Sequence, residues 1–324
     1  MSAPDQMFKL MGSILRIFLL LLFFLYSGCK DDKPCTACPP STPPADDTTA
    51  NPRKLISNGG YPDWSPTNER LAFVRDSSIF LYYFSDKHID SVTIGTEPNF
   101  SHDGTKLTFE RDKKIYWMDL TTKQETYLAD GITPNWSANG KWIAFANKNA
   151  SRFLTDGTII YGQPSPDSSL YYYDLDENSV KRIVITNYDS LWTGNLSLFF
   201  PTWAMHDSIL FFSSEFGIWK VHNTGGVGVY FIKDFSSNAN LYKRTSIEDL
   251  GNSGQQRWNE ATRRLAYFQL DESGDHVYIP RVHVLNFNTG FEDGGIGVAT
   301  DPCLSPDGTR FAYFAGSSIF VYKL

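Results

Sequence analysis

One short pattern recurs six times along this chain, and it restricts the fold more tightly than any other feature. Residues 61–73 read YPDWSPTNERLAF, 97–109 EPNFSHDGTKLTF, 133–145 TPNWSANGKWIAF, 200–212 FPTWAMHDSILFF, 255–267 QQRWNEATRRLAY and 301–313 DPCLSPDGTRFAY. Five windows carry proline in the second place, and the fifth window has Gln256 there. Two residues later stands a large apolar residue: Trp64, Phe100, Trp136, Trp203, Trp258 or Leu304. A polar turn follows, then an apolar segment.

Each unit reads as four short strands. The proline is expected to start the first strand, where its missing N–H is tolerated. Asp103-Gly104, Asn139-Gly140 and Asp307-Gly308 accept the positive φ of a tight hairpin turn to the second strand. A third strand is expected at Ile79–Tyr83 and its counterparts, and a fourth at segments such as Glu125–Leu128. Aromatics make up 15% of the chain, which suits broad side chains packed on sheet faces. Four antiparallel strands per repeat make one blade of a propeller. The sixth repeat stops at Leu324 after its third strand, while a spare strand-like segment, Lys54–Ser57, precedes the first repeat. Pairing the two would close the ring and remove an exposed edge. The expected fold is therefore all-β, a six-bladed β-propeller of four-stranded antiparallel blades closed by an N-terminal strand.

The repeat resembles the WD-like propeller repeat of TolB and its relatives, with a consensus near P-x-W-S-P-D-G-x-x-L-A-F. The resemblance covers residues 53–324. Blades one, two, three and six fit well, and blades four and five are degenerate. It implies the fold; propellers of this kind serve as scaffolds, receptors, sugar-active enzymes and peptidase gates, so it does not choose among functions.

Repeat starts are 36 residues apart at Pro62, Pro98 and Pro134, then 67 to Pro201, 55 to Gln256 and 46 to Pro302. The added length falls between second and third strands (148–169 and 269–281) and between a fourth strand and the next blade (187–200 and 235–255). In an up-and-down blade both connections emerge on one face. Functional loops on a rigid scaffold concentrate in this way. Tyr161, Tyr188, Trp192 and Tyr242 are the expected contact residues there, aromatics suited to a protein or sugar partner. The same aromatics could instead form a local core under the loops.

The N-terminus reads as targeting sequence. Residues 17–26, IFLLLLFFLY, form an apolar run too short to span a bilayer and fit a secretory signal behind Lys9 and Arg16. The run ends in LYSGC, which resembles a bacterial lipobox, with lipidation expected at Cys29. Tyr26 departs from the leucine usual three places before the cysteine. Residues 30–52 contain six prolines and no apolar periodicity, as an extended tether would, reaching roughly 70 Å at about 3 Å per residue. Lys30-Asp31-Asp32 either resembles the surface-export signal of some Gram-negative lipoproteins or is a solvated charge cluster. The expected organisation is thus a signal peptide over 1–28, a tether over 29–52 and the propeller over 53–324. The expected location is the bacterial outer membrane, lipid-anchored, on its periplasmic or cell-surface face.

Chemistry is harder to find. Cys35 and Cys38 form a CxxC inside the tether with no second pair to complete a zinc site, and Cys303 reads as a small core residue. None of the six histidines falls in an HExxH motif, and no GxSxG occurs. The loop DESGDH at 271–276 lacks the spacing of a calcium loop. No catalytic residue, metal or cofactor is expected from these motifs. Asp63, Glu97 and Asp301, at blade openings, could pair in space as glycosidase carboxylates do, or simply line a solvated channel. A net charge of −7 with no basic stripe excludes nucleic acid as an expected partner. Two readings follow: a lipid-anchored binding or scaffold protein whose partner is an envelope protein or glycan, and a carbohydrate-active enzyme at the channel mouth.

Replacing Cys29 by alanine should abolish incorporation of a labelled fatty acid and release the protein from membranes. Undiminished label in Cys29→Ala would remove the lipidation reading.

Overall fold

Every described strand belongs to one of six antiparallel sheets of four strands. The computed structural model describes residues 51–148, 170–183, 198–214, 217–222, 230–234, 256–272 and 278–324. All lie in the unit Thr48–Leu324. Blades I to V run in chain order over residues 60–94, 96–130, 132–183, 199–234 and 257–296. Blade VI takes Thr300–Leu304, Arg310–Ala315 and Ser318–Lys323, and its fourth strand is Arg53–Ser57 from the other end of the chain. The register is antiparallel, with Lys54 opposite Phe320 and Ser57 opposite Ser318. Asn51, in the segment expected to be tether, extends this seam: its side chain accepts from the Lys323 N–H at 2.8 Å and donates to the Lys323 carbonyl at 3.1 Å. First strands of neighbouring blades contact one another around the whole circle, so the ring is closed.

Among the described residues the apolar core is divided into six clusters, one for each blade interface. Leu71 and Phe73 of blade I face Ile319, Val321 and Ala312 of blade VI. Ala72 and Val74, pointing to the opposite side, meet Phe100, Leu107 and Phe109 of blade II. This is the period-two alternation of a strand buried on both faces. It gives the LAF triplet its logic: the outer two residues pack against the preceding blade, and the small central one leaves room for the next blade's indole or ring. Ala144 beside Trp203 and Ala312 beside Trp64 follow the rule. Blade IV departs from it, with Phe211 in the small place, its ring 5.6 Å from that of Trp258. Trp258 is accordingly only half-buried, whereas Trp64, Trp136 and Trp203 are buried.

The structure corrects the expected position of proline. It does not begin the first strand but follows a bulge inside it. The residue before proline is left-handed in five blades: Tyr61, Glu97, Thr133, Phe200 and Asp301, with φ of 50–55°. The ladder shifts register there, for example between Gly60 and Asp63. A bulge leaves one residue unpaired, and proline fits because it has no N–H to offer the ladder.

The turn after each first strand explains the SPDG signature. Ser65, Ser101, Ser137 and Ser305 each accept, through Oγ, the backbone N–H five residues on at 2.9–3.0 Å. Gly104, Gly140 and Gly308 take φ of 66–71°. The degenerate blades hold this turn differently, by tying it to a neighbour. Asp207 of blade IV accepts the N–H groups of Ala138 and Asn139 in blade III at 2.7 and 2.8 Å. Asn259 of blade V donates to the Ser305 carbonyl of blade VI at 2.7 Å.

The segment 269–281, expected to be a long loop, is largely strand. Arg264–Glu272 pairs along its full length with Tyr278–Asn286, so the blade V hairpin is extended. Asp271 and Glu272 of the acidic DESGDH stretch lie on this strand. The remaining insertions fall mostly outside the described residues.

Deleting residues 53–58 should leave blade VI with three strands and an open edge. Burial of Ile56, only 3% exposed, would be lost with the strand's hydrogen bonds. A melting temperature lowered by at least several degrees, with aggregation on heating, is expected by scanning calorimetry and light scattering.

Candidate functional site

The residue between the proline and the aromatic occupies the same place in every blade, and all six line one cavity. They are Asp63, Asn99, Asn135, Thr202, Arg257 and Cys303, around a volume of about 340 Å³. Pro66, His102, Ala138, Glu260 and Pro306 also line it, so the cavity lies at the end of the channel that carries the first-to-second-strand turns.

Most of this ring is occupied in joining blades. Asp63 Oδ2 accepts the Phe100 N–H of blade II at 2.8 Å. Asn99 Oδ1 accepts the Trp136 N–H of blade III at 2.7 Å. Asn135 Oδ1 accepts the Trp203 N–H of blade IV at 3.0 Å. Thr202 continues in the opposite sense, donating to the Gln256 carbonyl of blade V at 2.7 Å. Gln256, in the place of proline, also donates to the Phe200 carbonyl at 2.8 Å and accepts from Ser213 Oγ. At the closing seam the Trp64 indole donates to the Cys303 carbonyl at 3.1 Å. Side-chain oxygens thus satisfy backbone N–H groups that no strand partner reaches.

Arg257 is the one cation among these six residues. Its Nε stands 3.6 Å from Asp63 Oδ1, too long for a hydrogen bond, and its side chain is 11% exposed. Cys303 lies between these two blades, with Sγ 3.7 Å from the same oxygen. Burial raises the pKa of Asp63; Arg257 and the donors Phe100 and Asn99 oppose that rise. Burial also pushes the Cys303 thiol far up, and the neighbouring Asp63 carboxylate adds to it. Asp301, buried and outside the cavity lining, is raised to about 7 by burial, against the Thr300 hydroxyl and the charge of Arg257.

Asp63, Glu97 and Asp301 therefore do not form a solvated channel wall. Each is at most 5% exposed, and only Asp63 reaches the cavity. Cys303 is buried, as a small core residue would be, yet it faces the channel. His102 and His206 lie in exposed turns; His206 sits 3.0 Å from Glu260. His283 is buried on a third strand, stacked on Tyr267 and 3.0 Å from Glu292. Among the described residues no group of three or more His, Cys, Asp or Glu could hold a metal ion. Cys29, Tyr161, Tyr188, Trp192 and Tyr242 lie outside the described residues. The repeat pattern alone does not single out Asn99, Asn135, Thr202 or Arg257. Their signal is the variable position in P-x-W, which changes character from blade to blade while its neighbours hold constant.

With this geometry in place, solved structures show where the fold has been seen. A protein of Agrobacterium tumefaciens described as a putative TolB superposes with a TM-score of 0.52 at 17% identity, covering 84% of this chain and 91% of that one. An oligogalacturonate lyase of Vibrio parahaemolyticus gives 0.53 at 13% identity, covering 86% and 95%. The chain has the six-bladed propeller fold of these proteins. No protein-family model and no curated sequence matches it.

Asp301 sets a pH dependence. Its folded pKa lies above the unfolded value, so the folded state holds the proton more tightly. Its favourable contribution is complete below about pH 4 and is lost as pH rises through about 7. Asp301→Asn should therefore gain urea stability over the parent as pH rises from 4 to 7. Each tenfold difference in proton affinity between the folded and unfolded states is worth about 1.4 kcal/mol, so the gain should reach a few kcal/mol. A constant difference between the two proteins at all pH values would contradict this.

Proposed function

We propose that the protein is a binding and scaffold lipoprotein of the bacterial outer membrane, held through Cys29, that grips an envelope protein or a glycan with one face of its propeller. The observation that carries this reading is the placement of chain length. The turns from first to second strands stay at four or five residues in all six blades. Most of the length beyond the 36-residue repeat falls between second and third strands or between a fourth strand and the next blade, although in blade V part of it lengthens the second and third strands themselves. Loop entropy grows slowly with length, so stability alone does not confine insertions to one side. The state of Asp63 also supports binding over hydrolysis. Both its oxygens are engaged by protein donors, which leaves it poorly placed to take a proton from water or to attack a sugar.

A second reading, a carbohydrate-active enzyme at the channel mouth, is favoured by one observation. The cavity holds a carboxylate of raised pKa beside an arginine.

Capture from solubilised envelope membranes by the tethered protein tests the first reading. Alanine at Tyr161, Tyr188, Trp192 or Tyr242 should lower capture roughly tenfold or more with an unchanged melting temperature, as for residues central to an interface. Lower stability with capture per folded molecule unchanged would make these aromatics structural. Turnover of a polysaccharide panel, followed by release of new chain ends and lost in Asp63→Asn, would favour the enzyme instead.

A further inference from the structure

Arg257 has five N–H donors and is nearly nine-tenths buried, yet no described residue accepts a hydrogen bond from it. Its charged neighbour in contact is Asp63, at 3.6 Å. Burying a guanidinium without hydrogen bonds is strongly unfavourable unless another group supplies the acceptors. The ring around it does not supply them. The oxygens of Asp63, Asn99 and Asn135 already accept from backbone or side-chain donors of the neighbouring blades. The indole N–H groups of Trp136 and Trp203, two more lining residues, also lack an acceptor among the described residues. Beside the cavity, then, three N–H groups lack an acceptor among the described residues, and the guanidinium of Arg257 borders the space, so a ligand that brings acceptors suits it.

We propose that this cavity binds a carboxylate, held by the Arg257 guanidinium. A planar fork of two N–H groups matches the two oxygens of a carboxylate. The Asp63 carboxylate beside Arg257, with Asp301 also within reach of its charge, disfavours a dianion such as phosphate relative to a single carboxylate. A volume of about 340 Å³ suits a single sugar ring or one residue at a chain end. The carboxylate could thus belong to a free hexuronic acid or to a peptide C-terminus. The site lies at the turn end of the channel and is independent of the insertion-bearing face, so the outcome of the capture experiment does not bear on it.

Four lining residues, Trp64, Trp136, Trp203 and Trp258, make intrinsic fluorescence a direct reporter. The full-length protein in detergent is titrated with sodium D-glucuronate, and with D-glucose plus sodium chloride at equal ionic strength. A second arm compares an N-acetylated tripeptide as free acid and as C-terminal amide. A saturable change with at least one carboxylate and none with its neutral counterpart is expected, and the arm that responds identifies the source. Arg257→Lys should weaken binding at least tenfold, and Arg257→Gln should abolish it. Should Arg257→Gln fail to fold, the lysine variant and the acid-against-neutral comparison on the unaltered protein still decide. Equal response to charged and neutral probes, no saturable response to either carboxylate, or an affinity unchanged in Arg257→Gln would overturn the proposal.

Discussion

The whole structure depends on one pairing between the ends of the propeller. Arg53–Ser57 adds to Ser318–Lys323 and turns a row of blades into a ring. The partners are more than 260 residues apart, as the Asn51–Lys323 contact with a separation of 272 illustrates. Closing so long a loop costs conformational entropy, though the cost rises only with the logarithm of length. In return the sheet edge of blade VI is covered, and the sixth interface cluster forms between blades VI and I. Without that cluster Trp64, Leu71 and Phe73 would face water. Contacts of such separation form late in folding, so an incomplete ring exposes apolar faces at both ends.

The channel follows from the same closure. Because blades are not hydrogen-bonded to one another by strand ladders, the N–H after each channel residue needs an acceptor. The preceding blade's channel side chain provides it in three successive interfaces. Asp63, Asn99 and Asn135 are polar for this architectural reason before any question of ligand arises. Arg257 does not take part in that relay, and this is what sets it apart chemically.

The fold was legible because its signals are local and repeated. The Pro-x-Trp spacing, the Asp-Gly turns and the alternation in LAF each report one blade's geometry, and six copies reinforce one another. Even ring closure could be read from a strand left over before the first repeat and a strand missing from the last. The bulge at Tyr61, Glu97, Thr133, Phe200 and Asp301 could not, because left-handed backbone at glutamate or tyrosine has no compositional mark. The 269–281 segment looked like a loop because Ser273, Gly274 and Asp275 interrupt it, while the pairing that extends its hairpin is set by partners across the strand. The channel residues were illegible for another reason. Their roles exist only between blades, so Asn99 means little until Trp136 stands beside it.

Degeneracy in blade V also has a consequence for symmetry. A ring of six equal positions presents a docking molecule with six equivalent rotational settings about the channel axis. Uniform repetition would therefore leave orientation undefined, a degeneracy of RT ln 6, about 1 kcal/mol in free energy. Differences among Asp63, Thr202, Arg257 and Cys303 lift that degeneracy, and Arg257 in the repeat that loses its proline adds the one cation among the six. The least regular blade thus marks the channel's azimuth by charge, where its neighbours mark it by shape and polarity.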